Sequence, residues 1–215
     1  MGVIAASRPC NPTVFQTPGV LVRRGRPDDE TAELVFDAAA YAYTTAAGSP
    51  ERARAILATI WQKPGHSASF EHALVAELNG RVVGVLIGFP ARDRYRLHRS
   101  LLRLGLPYTP RRRWPLLAVS LFHLILATPR PPRNAYYVGT IAIARHARRR
   151  GVASTLGYHA ELAAGAAGFT VIVAHTGSRH IPARRALERY GLHAMKDHRW
   201  GFVLYAKPVV APLAR

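Results

Sequence analysis

Residues 136–166 constrain the fold more than any other part of the chain. Tyr136–Ala144 (YYVGTIAIA) is dense in aromatic and β-branched residues, as a strand prefers. Val152–Ala166 carries Leu156, His159, Ala160 and Ala163 at helical spacing in a stretch rich in Ala and Leu. Between them lies Arg148-Arg149-Arg150-Gly151-Val152-Ala153-Ser154. A strand that passes through a basic, glycine-containing turn into a helix makes a phosphate site. The first-turn N–H groups have no partner inside the helix, the dipole favours an anion, and Gly151 lets the backbone come close.

The flanking segments read as a single domain. Val20–Arg23 is a first strand, and Arg26-Pro27-Asp28-Asp29-Glu30 places proline and acids as at a helix start. Ala32, Leu34, Val35 and Ala38–Ala40 follow on that helix. Ser49 is the expected N-cap of a second helix that opens with Pro50-Glu51 and runs to Trp61. Phe70–Leu78 and Val82–Phe89 read as two strands joined by Asn79-Gly80, a strong hairpin signal. Thr170–Ala174 is a buried strand, His180–Tyr190 a helix closed by Gly191, and Arg199–Lys207 a last strand.

Residues 91–133 interrupt this order between the third and fourth strands. Arg92, Arg94, Arg96, Arg99 and Arg103 oppose Leu97, Leu101, Leu102 and Leu104 on an amphipathic segment. Arg111-Arg112-Arg113 and the apolar run Trp114–Ala127 follow, the latter too short to span a bilayer. A helical hairpin is expected here, serving as packing, as an acceptor wall, as a partner surface or as a membrane-surface element.

Composition narrows the classes. Of 215 residues, 49% are hydrophobic, which supports a real core. Cys10 is the one cysteine, so no internal disulfide can form, as fits a reducing, cytoplasmic setting. Residues 1–18 lack the charged and apolar blocks of a signal peptide and are expected to be a flexible leader. The net charge is +18. It arises wholly beyond residue 91, because the first 91 residues carry eight groups of each sign. Arginine dominates the basic residues, as a coding bias would produce. An anionic partner also explains the excess: a phosphate-bearing ligand, an acidic substrate, nucleic acid or a membrane surface.

Arg148-x-x-Gly151-x-Ala153 resembles the [Arg/Gln]-x-x-Gly-x-[Gly/Ala] signature of the GNAT superfamily of N-acetyltransferases. In that family the turn holds the pyrophosphate of acetyl-coenzyme A. The preceding Ile141-Ala142-Ile143 resembles the family's splayed central strand, whose backbone pairs with pantetheine. Residues 180–192 look like its Asn-x-x-Ala-x-x-x-Tyr-x-x-x-Gly-Phe helix, with His180 at the position of the Asn. Leu187 stands where the family has a Tyr that often protonates the coenzyme A thiolate. The resemblance is continuous over 136–207, the coenzyme-binding core, and the β-α-α-β-β beginning matches as well. It implies an α/β fold over residues 19–210, with a mixed, mostly antiparallel central sheet flanked by helices. It also implies Ile141, Ile143, Arg148, Arg149, Arg150, Gly151, Val152, Ala153, Ser154 and His180 as residues that hold acetyl-CoA.

The chemistry implied is direct acyl transfer, which needs a deprotonated amine, a donor for the developing oxyanion, and alignment of both substrates. His175, at the end of the fifth strand, is the first candidate base, with a structural histidine as the alternative. Glu71 and His72, entering the second strand, come next. Tyr190, one turn beyond Leu187, is either core or a displaced acid. No Cys/His or H-E-x-x-H spacing supports a metal site. Three readings follow: an acyl-CoA-dependent N-acyltransferase acting on a small metabolite, antibiotic, peptide or protein amine; a related transferase using aminoacyl-tRNA; and a non-enzymatic basic binding module. The intact pyrophosphate turn favours the first. No helix-turn-helix, RNP or zinc-finger pattern supports the third.

Overall fold

The computed structural model describes residues 17–119, 128–199 and 201–209. Residues 1–16, with Cys10 and most of the expected leader, lie outside the described residues, as do 120–127 of the insertion.

A seven-stranded sheet in the order β1-β2-β3-β4-β5-β7-β6 forms the frame. Its strands are β1 (Val20–Arg24), β2 (Ala73–Leu78), β3 (Arg81–Pro90), β4 (Ala135–Ile143), β5 (Val171–Gly177), β6 (His193–Arg199) and β7 (Phe202–Pro208). Every adjacent pair is antiparallel except β4 and β5. Asn79 and Gly80 both take left-handed φ, which matches the twist of the β2–β3 hairpin.

Helices cover both faces. On one side lie α1 (Ala32–Ala38), α2 (Ala40–Ala47), α3 (Pro50–Trp61) and α4 (Arg94–Gly105). Leu34, Val35, Leu57, Trp61 and Leu97 pack there against Val75, Val85, Ile87, Phe89, Tyr137, Val173 and Leu204. On the other side, α5 (Val152–Ala166) sets Val152, Leu156 and Ala160 against Ala76, Val83, Leu86 and Ile172. α6 (Ile181–Arg189) closes a smaller cluster, with Leu187 and Tyr190 against Ala174, Leu192, Val203 and Tyr205. Alternation along each strand therefore feeds two separate cores.

Several elements differ from the sequence-based expectation. α1 starts at Ala32, not at Pro27, because Asp29 is engaged elsewhere: it accepts from Arg23 Nη1 at 2.9 Å and from the Arg26 N–H at 2.6 Å. The helix also breaks at Ala39, so two helices precede α3. Ser49 caps α3 as expected, accepting from the Arg52 N–H at 3.2 Å. Phe70–His72 is a 3-10 turn rather than strand. The last expected strand is a pair, β6 and β7, joined through Gly201.

The 91–133 insertion leaves the sheet at Pro90 and re-enters beside it, since Pro90 pairs with Tyr136 and Phe89 with Tyr137. Its first half is α4, and residues 114–119 are again helical. Arg94, read from sequence as part of the exposed basic face, is only 4% exposed.

Candidate active site

β4 and β5 pair in parallel over four residues, Ala135↔Val171 to Val138↔Ala174, and then part. At the parting point β4 carries a bulge at Gly139, because Ile87 faces Thr140 while Gly88 faces Val138. Gly139 and Ile141 are exposed although β4 is the central strand of the sheet. Beyond Val138, β4 pairs with β3 on one edge and has no strand partner on the other among the described residues. Backbone groups on such an open edge can take an extended ligand as a strand would.

The chain runs from the end of β4 through a 3-10 turn, Arg145–Ala147, to the basic turn. Gly151 is the N-cap of α5 with φ of 79°, and Arg149 is also left-handed at 61°. No side chain caps the helix. The N–H groups of Val152, Ala153 and Ser154 have no hydrogen-bond acceptor among the described residues. That combination suits a phosphate. Arg148 braces the turn: its Nε donates to the Ile143 carbonyl at 2.9 Å, and its Nη2 lies 3.7 Å from Asp37 of α1. Arg148, Arg149 and Arg150 are all exposed.

Thr17, from the end of the expected leader, lies on this turn. Its hydroxyl donates to the Arg150 carbonyl at 3.0 Å, and its N–H donates to Thr155 Oγ1 at 3.2 Å. A Cβ on Gly151 would sit 2.5 Å from Thr17 Oγ1. The glycine therefore serves both its own φ and this close approach. His180 caps α6, accepting at Nδ1 from the Ala183 N–H at 3.1 Å.

On the α1–α4 face, His175 follows directly after the last β4–β5 pair. Its Nδ1 is hydrogen-bonded to the Tyr137 hydroxyl, and the two rings stack with centroids 5.6 Å apart. Burial, helped by the Arg94 charge and by His98, pulls the His175 imidazole down to about 4. Burial pushes the Tyr137 phenol up to about 12. Both are therefore neutral at pH 7. Arg94 from α4 reaches the same cluster, 5.6 Å from the Tyr137 ring centre, while donating to Tyr95 OH at 2.9 Å. Among the described residues no carboxylate pairs with Arg94. His98, on the same helix face, is likewise pulled down to about 4, by burial first and by Arg94 second.

His72 packs edge-on against Phe89 at 5.6 Å, and Tyr137 contacts the same ring at 5.5 Å. Its Nε2 is buried without a hydrogen-bond partner, and burial lowers its basicity. Glu71 is exposed and accepts from the Gly65 N–H at 2.7 Å, which organises the preceding loop. Tyr190 lies on the other sheet face. Its hydroxyl donates to Glu161 Oε2 at 3.1 Å, and its ring fills the space that a Cβ on Gly157 would take. The structure thus brings His175 to the parting strands, sets His72 against Phe89, ties Glu71 to the preceding loop and puts Tyr190 on the other sheet face. Sequence reasoning missed Tyr137, Arg94 and His98. The only signal for the last two was their i,i+4 spacing on α4.

An open groove of about 570 Å³ among α1, α2 and α3 is lined by Phe36, Tyr41, Thr45, Arg54 and Arg113, among others. Arg113 Nη1 donates to the Thr45 carbonyl at 2.8 Å, in the last turn of α2. Among the described residues there is no helix long and apolar enough to cross a membrane, and no group of side chains that could hold a metal ion.

The family model described as acetyltransferase (GNAT) family matches residues 36–192. A solved structure described simply as an acetyltransferase is 19% identical, covers 88% of this chain and 100% of its own, and superposes with a TM-score of 0.67. An N-acetyltransferase from Staphylococcus aureus Mu50 is 15% identical, with the same coverages and a TM-score of 0.64. A protein termed SsHAT is 20% identical over 90% of this chain and 100% of its own, at 0.61. No curated protein matches the chain.

Proposed function

The chain belongs to the acetyltransferase (GNAT) family, and on that premise we propose that it is an acyl-CoA-dependent N-acyltransferase, moving an acetyl or similar acyl group from coenzyme A to an amine. The observation that carries this reading is the β4–β5 pair, which parts after four residue pairs directly beside a helix N-terminus capped by glycine. The open edge at Gly139–Ile143 suits pantetheine, and the N–H groups of Val152–Ser154, with Arg149 and Arg150, suit pyrophosphate. Arg148 holds the turn in place through Ile143 and Asp37.

Transfer is direct. The amine nitrogen attacks the thioester carbon, the carbonyl oxygen takes up negative charge, and collapse releases the thiolate. Alignment and donors aimed at that oxygen supply the rate. Leu187 gives the thiolate no proton, so water serves as its acid. The amine enters from the face of α1, α2 and α4. Arg113 beside the groove favours an acceptor with a carboxylate or phosphate.

Calorimetry with acetyl-CoA, followed by thiol-release assays over a panel of neutral and anionic amines, tests the proposal. Saturable binding and thiol release that depends on an amine are expected. Failure to bind acetyl-CoA would remove it.

A further inference from the structure

The direction of one hydrogen bond decides what His175 can do. The Tyr137 hydroxyl is fully buried, and His175 Nδ1 is the only acceptor it meets among the described residues. Two other polar groups act on it: the Arg94 guanidinium, which only donates, and the Tyr95 hydroxyl, which is engaged by Arg94 Nη2 at 2.9 Å. If His175 Nδ1 carried a proton and donated to Tyr137, the phenolic proton would be left in the core without a partner, which folded proteins avoid. The phenolic proton therefore points from Tyr137 to His175 Nδ1, with the Arg94 guanidinium over the Tyr137 ring. A neutral imidazole with Nδ1 accepting carries its proton on Nε2.

Among the described residues Nε2 makes no hydrogen bond. It is also not one of the sealed, unpartnered ring nitrogens, which are His72 Nε2 and His98 Nδ1. His175 is partly exposed at the place where β4 and β5 separate. Around it stand Arg94 and His98 from α4, Tyr137 from β4 and Phe202 from β7. None of these is a carboxylate that would favour an imidazolium.

We propose that His175 is not a general base but a neutral hydrogen-bond donor, whose Nε2–H meets the acyl oxygen as it becomes an oxyanion, and that Tyr137 and Arg94 are the positioning residues that fix this tautomer. The inference rests on the acyl-transfer reading given above. In the step, the amine lone pair forms the C–N bond and the carbonyl π pair moves onto oxygen, where Nε2–H stabilises it. The returning pair expels the thiolate. The extra amine proton leaves to water, and His175 keeps its own proton throughout.

Nitrogen-15 NMR of histidine-labelled protein tests the tautomer without any substrate, with the His175 signal assigned by its loss in His175→Gln. The expected result is an Nε2–H tautomer that does not titrate between about pH 5.5 and 8, and that becomes a mixture in Tyr137→Phe. An Nδ1–H tautomer, or an imidazolium forming near neutrality, would overturn the proposal. Kinetics give a second reading. His175→Ala should lower kcat by about 100-fold, as loss of an oxyanion donor does. His175→Gln, whose amide N–H can stand near Nε2, should recover much of that with the same pH profile. Equal loss in both variants, with the disappearance of an acidic limb present in the wild type, would restore the base. Absence of any acyl transfer would instead count against the proposed function and leave the NMR result to decide the tautomer.

Discussion

Lys207 Nζ donates to Glu161 Oε2 at 2.8 Å, with the two side chains 11% and 6% exposed, and the Tyr190 hydroxyl shares the same oxygen. Strand β7, helix α5 and the end of α6 are therefore tied at one carboxylate. Removing the cation from a buried pair leaves an uncompensated charge. Lys207→Met should cost about 3 kcal/mol or more of stability. Tyr190→Phe should cost about 1–2 kcal/mol and leave kcat within a few-fold. Denaturant unfolding and steady-state kinetics on the same samples check both. A 100-fold fall in kcat for Tyr190→Phe, with stability kept, would make Tyr190 an acid after all.

At Gly151, Ala should be harmful for two separable reasons. Its φ of 79° strains any other residue, and its Cβ would collide with Thr17 Oγ1. A stability loss of about 1–2 kcal/mol is expected, part of it recovered when Thr17→Gly is added. Gly151→Asp brings in a negative charge as well, and should weaken acetyl-CoA binding at least about 10-fold, or about 1.4 kcal/mol. Calorimetry and thermal unfolding of the single and double variants separate strain from lost affinity.

Acid should destabilise the fold through the α4 face. His98 and His175 are held near 4, below the ordinary 6.5 of an unfolded histidine. Between these values the unfolded chain binds protons that the folded chain refuses, so stability falls as pH drops from about 6.5 to about 4 and is fully present above that window. Each group contributes up to about 3 kcal/mol. His98→Gln should flatten the slope of unfolding free energy against pH. An unchanged slope would mean that His98 is protonated in the folded protein.

The three consecutive arginines should not act alike. Arg113 reaches the α2 C-terminus and lines the groove, whereas Arg111 and Arg112 are exposed. Arg113→Ala should raise the KM for an anionic acceptor several-fold and leave the acetyl-CoA Kd nearly unchanged, while Arg111→Ala and Arg112→Ala should do little. Any effect of the exposed pair should fade with salt, since exposed charges are screened over about 8 Å at physiological ionic strength. A gel shift with total tRNA is the control: tight, salt-sensitive RNA binding lost in the triple variant would point to a nucleic-acid partner instead.

The turns and caps were the legible part of the sequence. Asn79-Gly80, Ser49 and Gly151 each act through a local rule, so the residue itself carries the information. β6 was not legible, because HAMKDHR has neither alternation nor β-branched residues and is held by pairing with β7. The start of α1 was misread because Asp29 serves Arg23, and a tertiary partner overrode a local signal. In the site, Gly151 could be read from its neighbours, but Arg94, Tyr137 and His175 could not be read as a group. They come from three separated elements and meet only when α4 folds over the β3–β5 face. Arg94 was hidden further by its company, since a buried arginine among three others on one helix has no distinguishing pattern.

Because Pro90 and Tyr136 are paired neighbours, the 91–133 insertion is in topological terms one long hairpin loop. Its two ends are already joined by the ladder, so the segment can be exchanged as a cassette without shifting the register of any strand. Such an exchange would replace Arg113 at the groove and Arg94 behind Tyr137 in a single event. The Arg113 side of the groove and the Arg94 charge beside His175 are thus inherited together, and a chimaera that swaps this loop transplants both or neither.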